Sequence, residues 1–196
     1  EFATSLISKK LKELDLVVEE GIALTGCKGK LAEEKSGPTI AVLGELDAIT
    51  CPEHPDADEE TGAIHACGHN IQLATMLGTA IGLVLSGVVE ELAGNVEFMA
   101  VPAEEYVQLE YRSKLAQAGK IKFFGGKQEL IYRGHLDDVD LAMMIHSLNL
   151  GEGQALIGGT GNGFIGKEVQ FVGQESHAGA APEKGVNALN AAMLAI

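Results

Sequence analysis

The sequence predicts a layered α/β domain, and three observations carry that expectation. Short apolar runs, the first of them β-branched, recur at 38–46 (PTIAVLGEL), 95–102 (NVEFMAVP) and 141–146 (LAMMIH). Stretches of helical character, 70–85 and 109–134, stand between them. The chain has 196 residues, 46% hydrophobic and 21% charged, which is enough to bury one sizeable core. Strands that alternate with helices pack as a sheet with helices laid on it.

Each element has its own warrant. Residues 4–18 place Ile7, Leu11, Leu14 and Val18 on one helical stripe, with Lys9, Lys10, Lys12 and Glu13 mostly off it, as in an amphipathic helix on a core. Gly21 and Gly26 break that pattern. The run 38–46 reads as a central strand buried on both faces. From 47 to 64 the chain turns to Pro, Asp, Glu, Thr and Gly and reads as a loop, of a length that compact domains keep for function. Residues 70–85 are apolar almost all round, so a helix buried on more than one side is expected, ended at Gly87. The runs 95–102 and 141–146 read as two further core strands. GGTGNG at 158–163 has no side chains to pack and reads as a hinge between one domain at 1–163 and a second unit at 164–196. In that unit 167–172 alternates like a strand with one wet face, and 185–196 is an alanine-rich helix. A strand and a helix cannot close a core, so this unit reads as incomplete.

Composition excludes several function classes. Lys and Arg number 14 against 28 for Asp and Glu, and a formal charge of −14 disfavours nucleic acid and anionic membranes as partners. Three cysteines at irregular spacing make no disulfide framework, and the opening EFATSLISKK is no secretory signal, so a reduced, cytoplasmic protein is expected. No stretch approaches the roughly 18 uninterrupted apolar residues of a membrane span.

The residues with chemistry stand at the ends of these elements. In His65-Ala66-Cys67-Gly68-His69-Asn70, Cys67 and His69 are two apart, so an extended segment projects both to one side, towards one metal ion or two adjacent ones. Two other readings stay open: Cys67 as a small buried residue with the histidines capping the helix, and Cys67 as a nucleophile activated by the helix N-terminus and a histidine. Glu104 and Glu105 follow the second core strand, and side chains that alternate in extended chain suit two jobs, ligand and base. Taken alone, the pair reads as a solvated acidic loop. His146 ends the third run, where it reads equally as a satisfied core histidine or as a site residue, since strand ends are where α/β sheets build sites. Asp47 ends the first run and could orient a ligating imidazole, with Glu45 facing the same way; the other reading is that the two carboxylates only start a turn.

GELDAI at 44–49, HACGHN at 65–70, VPAEE at 101–105 and MMIH at 143–146, in this order and at these separations, resemble the amidohydrolase branch of the aminoacylase and carboxypeptidase-type metallopeptidases. EVQFVGQESHAGAAPEKGVNALNAAMLAI, at 168–196, is similar to the opening of that family's lid. The resemblance implies a three-layer α/β/α metallopeptidase-type catalytic domain at 1–163 and the start of an α+β lid and dimerisation domain at 164–196. It implies that Cys67, His69, Glu105 and His146 are metal ligands of a two-metal site, that Glu104 is the general base, and that Asp47 lies just behind the ligands. His177 matches the histidine that steadies the oxyanion of a partner subunit's substrate, which makes a homodimer through the lid the expected assembly. Family members are longer at both ends and supply a further histidine ligand after the lid, so the chain is expected to be a fragment, inactive or nearly so alone. Asn70 stands where an aspartate is common in the branch, and the loop at 49–64 is longer and more acidic than usual.

The chemistry suits these residue types. An amide is a poor electrophile and neutral water a poor nucleophile, and a divalent cation remedies both. A thiolate, imidazole and carboxylate shell suits zinc or another late first-row ion, and the expected cofactors are two divalent ions, zinc or manganese. The expected activity is metal-dependent hydrolysis of an N-acyl or aminobenzoyl amino acid. Two alternatives are a thiol amidase built on Cys67 and a non-catalytic metal-binding or assembly module.

Overall fold

A computed structural model describes residues 2–149, 151, 155–158, 163, 165–167 and 169–195. The chain divides into two compact units, 1–149 and 150–196.

The first unit opens with helix α1 (Phe2–Lys12), followed by strands β1 (Val17–Ile22), β2 (Gly26–Lys30) and β3 (Thr39–Glu45). A two-stranded ribbon, β4 (Ile49–Thr50) and β5 (Ala63–Ile64), leads into helix α2 (His69–Leu85). Strand β6 (Asn95–Val101), helices α3 (Leu109–Gln117) and α4 (Gly126–Tyr132) and strand β7 (Leu141–Met144) complete it. The five-stranded sheet runs β1-β2-β6-β3-β7, antiparallel through β1, β2 and β6 and parallel from β6 through β3 to β7.

Two core clusters coat the two faces of this sheet. Ile7 and Leu11 of α1 and Leu73, Met76 and Ala80 of α2 pack with Val96, Phe98 and Ala100 of β6. Met99 and Val101, which point the other way, pack with Ala41, Leu43, Ile22 and Leu130 of α4. Alternation along β6 thus feeds both layers, and the three-layer α/β/α architecture follows. Burying a side chain such as Phe98, 1% exposed, contributes about 1.5–3 kcal/mol.

The structure corrects several expectations. The helix expected at 4–18 stops at Lys12, because Asp15 takes a left-handed backbone (φ +58) and the β-branched Val17-Val18 pair opens a strand. Leu14 and Val18 still pack on the first cluster, but from a turn and a strand. The loop at 47–64 carries the β4–β5 ribbon. Helix α2 buries one face, His69, Gln72, Leu73, Met76 and Ala80, while Ile71, Ile81 and Leu85 are exposed, since α1 and the sheet cover one side only. The 109–134 stretch, expected to be helical, carries the two short helices α3 and α4. Strand β7, expected in the core, pairs among the described residues with β3 alone, and all four of its residues are exposed.

In the second unit the described residues of 167–172 form no strand; one bridge joins Gln174 to Val186. Helix α5 (Ala188–Ala195) is present, and none of the described residues of this unit is buried. Most of the hinge expected at 158–163, residues 159–162, lies outside the described residues.

Candidate metal centre

Three parallel strands in register end at one edge of the sheet. Glu45 of β3 pairs with Val101 of β6, and Leu43 with Met144 of β7, so the segments that carry Asp47, Glu104, Glu105 and His146 leave the sheet side by side. The N-terminus of α2 reaches the same edge. Gly68 makes that possible: its left-handed φ of +101 turns the chain between Cys67 and His69, and a Cβ there would collide with Ser147 Oγ. The exit of β7, at Ser147, thus lies against the start of α2.

His69 is the centre of the cluster and is 1% exposed. Its Nδ1 lies 2.8 Å from the Asp47 carbonyl oxygen and 3.4 Å from Asp47 Oδ1. A carbonyl only accepts, so Nδ1 carries the proton in that hydrogen bond and Nε2 presents its lone pair to the site in the neutral ring. Around Nε2 stand Glu45 Oε2 at 3.0 Å, Glu105 Oε1 at 3.6 Å and Glu104 Oε2 at 3.7 Å. His69 Nε2, Glu105 Oε1 and Asp47 Oδ1 are buried atoms without a hydrogen-bond partner. Lone pairs of an imidazole and several carboxylates converging in this way need a proton or a cation among them, so the donor set fits a divalent metal.

Two overlapping groups of ligand atoms result. Cys67, His69 and His146 each place one such atom within 4.8 Å of the other two, and so do Glu45, His69 and Glu104. Cys67 Sγ lies 3.9 Å from His146 Nε2, and the rings of His69 and His146 meet edge to face at 6.3 Å. Glu105 stands beside both groups, its Oε1 3.6 Å from the His69 Nε2 that they share, and its backbone N–H donates to Asp47 Oδ2 at 2.8 Å. The structure thus brings together Asp47, Cys67, His69, Glu104, Glu105 and His146. His177 lies in the second unit, exposed, where its Nδ1 accepts the N–H groups of Gly179 (3.2 Å) and Ala180 (3.0 Å).

The two glutamates differ from expectation in one respect. They do not point opposite ways, because Ala103 is left-handed (φ +62) and the chain leaves the strand before reaching them. Electrostatics then separate them. Burial, reinforced by Glu45, raises the Glu104 carboxyl above the ordinary carboxylate range, against the pull of Lys127. Hydrogen bonding to Glu105, with burial and the nearby carboxylates, pushes the Cys67 thiol up to about 11.

Two residues close to the ligands carried no mark in the sequence. Gln72 donates from Nε2 to Glu45 Oε2 at 3.0 Å and accepts the Glu45 N–H at 2.9 Å, fixing that carboxylate inside the fold. A glutamine three residues after His69, one turn on in an otherwise apolar helix, was the available signal. Lys127 of α4 forms an ion pair with Glu45 Oε1, and nothing in its polar surroundings distinguishes it from a surface lysine.

The chain resembles known proteins in both sequence and fold. It is 32% identical over 151 residues to thermostable carboxypeptidase 2 of Saccharolobus solfataricus, a match covering 74% of this chain and 34% of the relative. It is 31% identical over 147 residues to the N-acetyl-L-cysteine deacetylase of Bacillus subtilis, covering 74% and 31%. It is 29% identical over 181 residues to the indole-3-acetyl-aspartic acid hydrolase of Enterobacter agglomerans, covering 86% and 37%. Among solved structures, the Bacillus subtilis YXEP protein, described as a dinuclear metal binding peptidase from the M20 family, superposes with a TM-score of 0.53 at 27% identity, over 71% of this chain and 34% of that one. No family model matches the chain. The chain spans about a third of the length of the curated relatives it matches. Sequence and fold together support an M20 amidohydrolase family for the chain.

Proposed function

We propose that the protein hydrolyses the amide bond of N-acyl or aminobenzoyl amino acids at a site for two divalent cations, zinc or manganese. The observation that carries this reading is the convergence of buried, unpartnered ligand atoms, His69 Nε2 and Glu105 Oε1, beside Cys67 and His146. Cys67, His69, Glu105 and His146 would hold the cations, with Asp47 orienting the His69 ring. A divalent ion supplies Lewis acidity towards the scissile carbonyl and lowers the pKa of water.

Glu104 takes the proton of the attacking water and hands it to the leaving amine. A carboxyl raised by burial is suited to that exchange, because its affinity for a proton lies nearer neutrality than that of an exposed glutamate. The thiol amidase alternative has less support, since a sulfur next to Glu105 holds its proton more tightly rather than less. His177 is proposed to steady the oxyanion in a partner subunit. With Nδ1 engaged as an acceptor, its neutral ring carries the proton on Nε2 and presents a donor. Residues 164–196 would open the lid through which two copies pair.

The test uses the full-length protein with p-aminobenzoyl-glutamate and N-acetyl amino acids, before and after chelation, with metal content read by mass spectrometry. Chelation is expected to abolish turnover, and metal readdition to restore it. Glu104→Gln is expected to lower kcat by about 10²–10⁴-fold with metal content retained. Full turnover after chelation would favour the thiol reading, and a metal-loaded protein without turnover on any substrate the assembly reading.

A further inference from the structure

The segment that carries Glu104 and Glu105 is bent against its own backbone preferences. Ala103, Tyr106 and Gln108 all lie in the left-handed region, with φ of +62, +53 and +55. That region costs a residue other than glycine about 1 kcal/mol or more, so three within six residues relax unless something holds them. One side chain touches the segment at Ala103 and at Tyr106. Arg112 of α3, 7% exposed, donates from Nη1 to the Ala103 carbonyl at 3.2 Å and to the Phe124 carbonyl at 2.9 Å. Its guanidinium also lies over the Tyr106 ring, 5.8 Å from the centroid. The Ala103 carbonyl accepts the Gly126 N–H as well, at 3.2 Å, so the segment is tied to α3, to the 118–125 connection and to α4 at once.

We infer that Arg112 is a positioning residue whose guanidinium holds the 103–108 segment in the left-handed course that turns both glutamates towards His69. The inference deepens the proposed function without sharing its test. It requires only that the Glu105 N–H stay on Asp47 Oδ2, a contact of 2.8 Å made by the chain's own atoms. A lysine keeps the charge but lacks the planar fork that spans two carbonyls and an aromatic face. Arg112 reaches the ligands by two routes, through the backbone at 103–105 and through the attraction between its charge and Asp47, the acceptor of the Glu105 N–H; Arg112→Lys keeps the charge and isolates the first route.

The test is amide hydrogen exchange on the 196-residue chain without metal, comparing wild type with Arg112→Lys and Arg112→Met. Exchange at Glu105 is expected to accelerate at least tenfold in both variants, while the core amides Phe98 and Met99 of β6 keep their wild-type protection. Millimolar guanidinium is expected to slow Glu105 exchange again in Arg112→Ala, and a second substitution, Gln108→Gly, is expected to recover part of it in Arg112→Met by removing strain. Unchanged exchange at Glu105 would overturn the inference. Equal acceleration at Phe98 and Met99 would overturn it as well, since that would make Arg112 a general stabiliser. A zinc titration of the same variants adds a second readout: weakened zinc binding with intact core protection supports positioning. The metal reading is tested on the full-length protein, so failure of the 196-residue chain to bind zinc leaves the exchange result standing.

Discussion

Cys67 shows how neighbours decide what one sulfur can do. Its thiol is raised to about 11 chiefly by the hydrogen bond to Glu105, then by burial and by the surrounding carboxylates. A cation inverts that balance, because the same carboxylates that penalise a bare thiolate attract the ion that replaces the proton. The sign of the pH effect follows. Below about pH 11 the metal-free sulfur is protonated, so binding releases a proton there and affinity rises with pH. Zinc affinity, measured by competition with a chromophoric chelator at pH 6, 7 and 8, is expected to gain up to about tenfold per unit from this group. Calorimetry in buffers of different ionisation enthalpy reads the same proton directly. In Cys67→Ala the slope is expected to fall by about one proton, and an unchanged slope would show that the sulfur takes no part.

Among the elements, α2 has the most to gain from substitution. It brings His69 and Gln72 to the site from its first turn, yet carries Gly78 and Gly82 on an exposed face where an added Cβ meets nothing within 4 Å. Gly78→Ala and Gly82→Ala are each expected to stabilise the fold by about 0.5–1 kcal/mol, read as a higher denaturant midpoint with unchanged slope. A fall in midpoint would mean that this face is covered in solution. How far elements could be foreseen depended on how local their cause was. Strands β3 and β6 were legible because a short apolar run is recognisable by itself. The β1–β2 hairpin was not, because Leu14 and Val18 continue a helical stripe across the left-handed Asp15 that ends the helix. Strand β7 was legible as a strand but not as an edge, since its neighbours are set by topology. At the site, Cys67, His69, Glu104, Glu105 and His146 stood out as reactive types at element ends. Gln72, Lys127 and Arg112 did not, because each matters only through a residue far away in the chain.

For the molecule as a whole, the two units differ in kind. Both core clusters draw all their residues from the first 149 positions, as do both groups of metal-competent side chains. The described part of 150–196 buries no residue and contributes one bridge, a short turn and helix α5. Stability that comes from buried apolar area therefore resides in the first unit. A chain ended at Asn149 is expected to melt within about 2 °C of the 196-residue chain, since a 1 kcal/mol change moves a domain of this size by roughly that much or more. Its zinc affinity is expected to stay within about twofold, because the ligands remain while His177 is lost. Calorimetric scans of both chains, with and without zinc, make the comparison. A drop of more than about 5 °C, or the loss of a cooperative transition, would show that residues 150–196 support the first unit's core and would move the structural boundary towards the hinge expected at 158–163.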